Sequence, residues 1–243
     1  MPHLAEATKK VANRHPALNF VVSEYADLVA QPFDKLDVGA LWAVGTGLLA
    51  NREAFARPAD PRNVTDPLEP SHLALLQQAA EIHGGLILGF EKGRELTENA
   101  DTARLSPDVV ETISAPAQSI LEKLRHDGKR VEDGTKRFIA AIEESLIVHG
   151  WQASRLGHAG YVLTRNSLIA IGRVLLRGNS ALATVLGSIG LNEVDPGLVQ
   201  TKLWLEFVID NGRTIMAFAE PFRELKIWFQ SIIDQIDREK RTL

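Results

Sequence analysis

Apolar residues recur at three- and four-residue intervals along almost the whole chain, and clean two-residue alternation is nearly absent. That spacing gives a helix one covered face, and the abundance of Ala, Leu, Glu, Arg and Lys favours the same backbone. The pattern predicts an all-α multi-helix bundle of about nine helices and no sheet. Helices are expected over about 3–14, 16–30 (Pro16 suits a first turn) and 35–56. "RPADPRNVTDPLEP", residues 57–70, holds four prolines and reads as a loop. Ser71 is expected to cap a helix over 72–99, and Ser106 followed by Pro107 to open another that Pro116 kinks or breaks. Further helices are expected over 131–156, 160–177, 180–190, 196–218 and 221–240. This reading divides the chain into an N-terminal helical segment (1–56), the Pro-rich loop (57–70) and a main bundle (71–243). The first segment either stands apart or joins that bundle.

Glycines interrupt the pattern in "EIHGGLILGFEKGREL", residues 81–96. Gly85, Gly89 and Gly93 stand four apart and drift by only about 40° per step around a helix. Gly84 and Gly89 have the spacing of a phosphate loop, but Phe90 and Glu91 occupy the places of its Lys and Ser/Thr, and no strand precedes them. Charged neighbours exclude a membrane contact face. Gly85, Gly89 and Gly93 are therefore expected to form a smooth groove for another helix, beside a stripe of Leu75, Ala79, Ile82 and Leu86.

In the last helix Phe222, Leu225, Phe229, Ile232 and Ile236 follow a 3-4-3-4 spacing, with Trp228 beside them and charged residues filling most other positions. The preceding helix, which carries Trp204, has few polar positions. This pair is a candidate interface, so self-association is expected.

Charge changes the picture in one place. The chain carries 27 Lys and Arg against 31 Asp and Glu, a net charge of −4. Residues 145–192 hold no Asp, Glu or Lys, but do hold Arg155, Arg165, Arg173 and Arg177. On one helix the last three fall within about 120° of one another. Guanidinium groups suit bidentate pairing with carboxylates or phosphates, so these four are candidate anion-binding residues unless internal carboxylates take them. An anionic partner or lipid surface acting through a hairpin at 146–190 is one expectation. The acidic balance and sparse aromatics speak against sequence-specific nucleic-acid binding.

Catalytic chemistry finds little purchase. The chain has no cysteine, which excludes thiol chemistry and disulfides and suits a reducing compartment. Paired Glu-x-x-His, His-Glu-x-x-His and Gly-x-Ser-x-Gly motifs are absent. "LRHDGKR" resembles the His-Asp centre of HD-domain phosphohydrolases, an all-α metal-dependent family. Here one residue is missing between Asp127 and Gly128, and Arg125 stands in an apolar place. The resemblance implies metal ligation by His126 and Asp127, completed by His83 and a later Asp such as Asp195 or Asp210.

The longest charge-free runs, Val38–Asn51 and Gly178–Asn192, are 14 and 15 residues, short of the roughly 20 needed to span a bilayer. No transmembrane segment, cofactor or catalytic residue is expected. The sequence reads as a cytoplasmic, non-catalytic interaction or scaffolding protein, with a homo-oligomer or protein partner.

Overall fold

The computed structural model describes residues 6, 14–56, 67–102, 105–152, 154–177 and 196–242, with the backbone alone at 154, 177, 196–200 and 239–242. Among these residues there are nine α-helices, one 3-10 turn and no strand. The helices are α1 (Pro16–Val29), α2 (Val38–Ala56), α3 (Pro70–Leu88), α4 (Glu91–Thr102), α5 (Pro107–His126), α6 (Asp133–His149), α7 (Ser154–Arg177), α8 (Pro196–Ala219) and α9 (Arg223–Thr242). None of them is long and apolar enough to cross a membrane. The expected helices over 3–14 and 180–190 and most of the Pro-rich loop lie outside the described residues.

The chain divides into two compact units, and not at the Pro-rich loop. Unit 1 is Met1–Leu105 with Asp133–Gly160, and unit 2 is Ser106–Glu132 with Tyr161–Leu243. α2 and α3, which flank that loop, pack on each other, so the helices of 16–56 join those that follow the loop within unit 1.

Unit 1 is built around α2, which packs against α1, α3, α4 and α6. Every residue from Leu41 to Leu48 is buried, more than two full turns with no exposed side. Two of this unit's packing glycines lie here, in "VGTG". A Cβ added to Gly45 would land inside the imidazole of His83, and one added to Gly47 would stand 2.9 Å from Ser145 Oγ and 3.1 Å from Val21 Cγ2. Polar groups in this core find local acceptors. Thr46 donates to the Ala43 carbonyl, Asn51 to Gly47 and Ser145 to Ala141. The Tyr25 hydroxyl meets His83 Nδ1 at 3.1 Å.

The glycine-bearing stretch does not form the expected groove. Gly84 and Gly85 face open space, with nothing within 4 Å of an added Cβ. The buried stripe of α3 is Leu76, Ala79, Ala80, His83 and Ile87, whereas Ile82 is 54 % exposed. His83, a polar letter in the sequence, is what turns the helix to that face. α3 starts at Pro70, so Ser71 lies inside it rather than capping it, and it stops at Leu88. Gly89 and Phe90 then turn the chain into α4, and Arg94 Nη1 donates to the freed Leu88 carbonyl at 2.8 Å. Gly93 meets the closest backbone: its Cβ would land on the Ile87 carbonyl across that turn, whereas one on Gly89 would stand 3.1 Å from the Leu86 carbonyl oxygen.

The break expected near residues 157–159 comes earlier. Gly150 takes φ +77 and donates its N–H to the Leu146 carbonyl at 2.8 Å, a left-handed helix stop that a glycine adopts without steric cost. Gly157 and Gly160 sit inside α7 because Trp151 and Leu146 press on them.

In unit 2, α8 packs against both α5 and α9. Ser106 Oγ accepts from Val109 N and Pro107 opens α5, as expected. Pro116 does not break the helix, which runs unbroken to His126 with Val110, Ile113, Ala117, Ile120, Leu121 and Leu124 buried on both sides of it. Burial of that continuous stripe outweighs the one helical hydrogen bond a proline removes. In α9, Leu225, Phe229, Ile232 and Ile236 are buried within the chain, which withdraws them from the expected interface. Trp204, Phe222 and Trp228 remain half-buried.

Candidate functional site

A concave feature of unit 2 is a groove of about 730 Å³ between one face of α7 and the start of α9. Tyr161, Arg165, Ile169, Arg173 and Leu176 line it from α7 at steps of four, four, four and three, which keeps them on one side of the helix. Phe222, Arg223, Glu224, Leu225 and Trp228 line it from the other side.

The local sequence explains how close these walls lie. A Cβ on Gly172 would fall inside the Trp228 ring, so the one glycine in "IAIGRVLL" lets the indole rest on the α7 backbone. Trp228 also meets Phe229 edge-on at 4.9 Å between centroids. At the opposite end Tyr161 lies 4.9 Å from Phe222 and 6.1 Å from Phe218, and those two phenylalanines are 6.0 Å apart. Burial raises the Tyr161 hydroxyl above the usual phenol range, against the opposing pull of Arg165 beside it. It is a neutral donor and acceptor at physiological pH.

The rim is cationic. Arg165, Arg173 and Arg223 are exposed, as is Glu224, the one acid in the lining. None of the three arginines has an ion pair with a carboxylate among the described residues. The nearby acid Glu220 is taken by Lys226 at 2.6 Å. Three guanidiniums without a carboxylate partner among the described residues thus stand above an apolar and aromatic floor, and the one at Arg165 touches the Asn166 amide oxygen, at 3.5 Å.

The candidate arginines thus separate. Arg165 and Arg173 come together in the groove. Arg155 does not: its Nε and Nη2 grip both oxygens of Asp101 at 2.8 and 2.6 Å within unit 1. Arg177 ends α7, and its side chain lies outside those described, as do residues 178–195 of the expected hairpin. Phe222, Leu225 and Trp228 of the candidate interface line the same groove. Tyr161, Gly172, Arg223 and Glu224 are absent from the sequence reading. Gly172 was the available signal, a glycine in a helix otherwise rich in Leu and Ile.

Two of the candidate metal ligands, Asp127 and His83, have other occupations. Asp127 ends α5 and accepts the N–H groups of Lys129 and Arg130 at 3.0 and 2.9 Å, together with the Arg130 guanidinium. These hydrogen bonds hold its carboxyl below the ordinary value despite partial burial. Arg130 in turn donates from Nε to the Leu203 carbonyl at 2.6 Å and lies over the Phe207 ring, which fastens the 127–132 turn to α8. His83 belongs to the core of unit 1, where burial and, secondarily, Arg155 lower its pKa to about 4. Among the described residues no three His, Asp or Glu side chains gather as a metal site would require. No family model, curated protein or solved structure matches the chain.

Proposed function

We propose that this is a non-catalytic, all-α binding protein that takes an anionic partner with an apolar surface in the α7–α9 groove of unit 2. The observation that supports the reading is the set of Arg165, Arg173 and Arg223, exposed and, among the described residues, without carboxylate partners around an aromatic floor. Arg155 is held by Asp101, whereas these three have no carboxylate partner among the described residues, which supports a role in holding an external anion. The lack of cysteine suits a reducing, cytoplasmic setting. Self-association through the last two helices loses the stripe it was drawn from, since four of its residues are buried within one chain.

The test uses 8-anilinonaphthalene-1-sulfonate, whose single sulfonate and fused rings match the rim and the floor. Titration should give saturable, one-site fluorescence enhancement. Arg165→Gln with Arg173→Gln should weaken it about tenfold, since a charge-assisted contact contributes on the order of 1.5–3 kcal/mol before solvent screening. An unchanged affinity in that variant would remove the groove from consideration.

A further inference from the structure

On the reading that the groove binds an anion, its volume and the order of its residues define the ligand more closely. We infer that the ligand is a single-chain anionic amphiphile, with one phosphate or carboxylate head and an unbranched alkyl tail. About 730 Å³ lies within the range of small-molecule sites. An acidic helical peptide fits poorly, because a four-turn helix about 10 Å across and 21 Å long fills roughly twice that volume.

The vertical order of the groove separates a lone tail from a bilayer. A membrane-binding face projects its apolar side chains outward beyond the cations. Here the order is reversed: Ile169, Tyr161, Phe222 and Trp228 are half-buried and Leu225 is buried, while Arg165, Arg173 and Arg223 are exposed. A flat surface would touch the guanidiniums and leave the floor uncovered, whereas a single tail reaches it. The order along the groove agrees. Ile169 lies midway between Arg165 and Arg173, which stand about 12 Å apart along the helix axis. The floor continues to Tyr161 and Phe222 at one end and to Leu176 and Trp228 at the other. A head held at the rim thus has a continuous apolar track on either side for its tail.

The experiment is competition against bound 8-anilinonaphthalene-1-sulfonate by inorganic phosphate and by butyl, hexyl and octyl phosphate below their micellar concentrations. A parallel arm uses phosphatidylglycerol vesicles. Affinity should rise about fourfold per added methylene, the gain for burying a CH₂, until the groove is filled. Inorganic phosphate should compete at least a hundredfold more weakly than octyl phosphate. Arg173→Gln should lower every affinity by a similar factor and keep the chain-length slope, whereas Ile169→Gln should flatten the slope.

A flat series in the parent protein overturns the inference, and so does displacement by vesicles but not by alkyl phosphates. Both leave the groove as an anion site of another kind. Failure of the naphthalene sulfonate to bind at all would overturn the broader reading instead, so the two failures are distinguishable.

Discussion

Gly45→Ala and Gly85→Ala make the same chemical change in unit 1 and should have opposite effects. Both glycines are helical, and replacing a helical glycine by alanine gains about 0.8–1 kcal/mol of propensity. At Gly85 nothing lies within 4 Å of the new methyl, so the gain should appear nearly whole, at about 0.5–1 kcal/mol. At Gly45 the methyl falls inside the His83 ring. That ring is 1 % exposed, is held by the Tyr25 hydroxyl and has no free end to swing aside. Overpacking a closed core costs about 1–3 kcal/mol, so the net change should be a loss of up to about 2 kcal/mol. Urea unfolding gives the sign directly as a shift in midpoint at unchanged slope. The double variant Gly45→Ala/His83→Ala should recover part of the sum of the single losses, because removing the ring vacates the space the methyl needs. Equal and same-signed shifts at 45 and 85, or strict additivity in the double variant, would refute the assignment of α2 as the glycine-packed helix.

Other consequences follow from individual side chains. Burial lowers His83 to about 4, so the unfolded chain takes up this proton near the ordinary value of about 6.5 while the folded one resists it. Stability from this group is therefore complete above about pH 6.5 and falls as the pH drops toward 4, by roughly 3 kcal/mol across the window. Urea midpoints at pH 7 and pH 4.5 should show that fall, and an equal fall in His83→Gln would contradict it. Asp127→Ala should lower stability by about 1.5–3 kcal/mol, because it frees two N–H groups and a half-buried guanidinium. Wild-type thermal stability in that variant would show that Asp127 does not anchor the turn. The Arg155–Asp101 pair is about 40 % exposed at both ends, so Arg155→Gln should cost no more than about 1 kcal/mol. Arg165→Gln and Arg173→Gln should stay within about 0.5 kcal/mol of the parent in a melting series, since neither has an ion pair among the described residues.

Much of the helical order was legible because its punctuation is local. Pro16 and Ser106–Pro107 act through their own backbone, and the helices they open stand where the sequence places them. Faces were harder to read. Four-residue spacing shows that Gly85, Gly89 and Gly93 share a side of a helix, not which side is covered, and the side of α3 is set by buried His83. α2 hid its glycines in another way: buried all round, it has no periodic stripe from which a packed face could be read. The two units interleave segments distant in sequence, and no change of composition marks residues 106, 133 or 161. The groove was half legible. A run without acids pointed to Arg165 and Arg173, but Arg223 and Trp228 reach the site only because α9 returns to α7 over Gly172.

Indole N–H signals in a two-dimensional ¹⁵N NMR spectrum locate the bound anion without any substitution. The chain has four tryptophans, two in each unit: Trp42 and Trp151 in unit 1, Trp204 and Trp228 in unit 2. Adding 8-anilinonaphthalene-1-sulfonate should move the Trp228 signal most, saturably, and leave Trp42 and Trp151 in place. A spectrum in which Trp42 or Trp151 moves while Trp228 stays fixed would contradict the account.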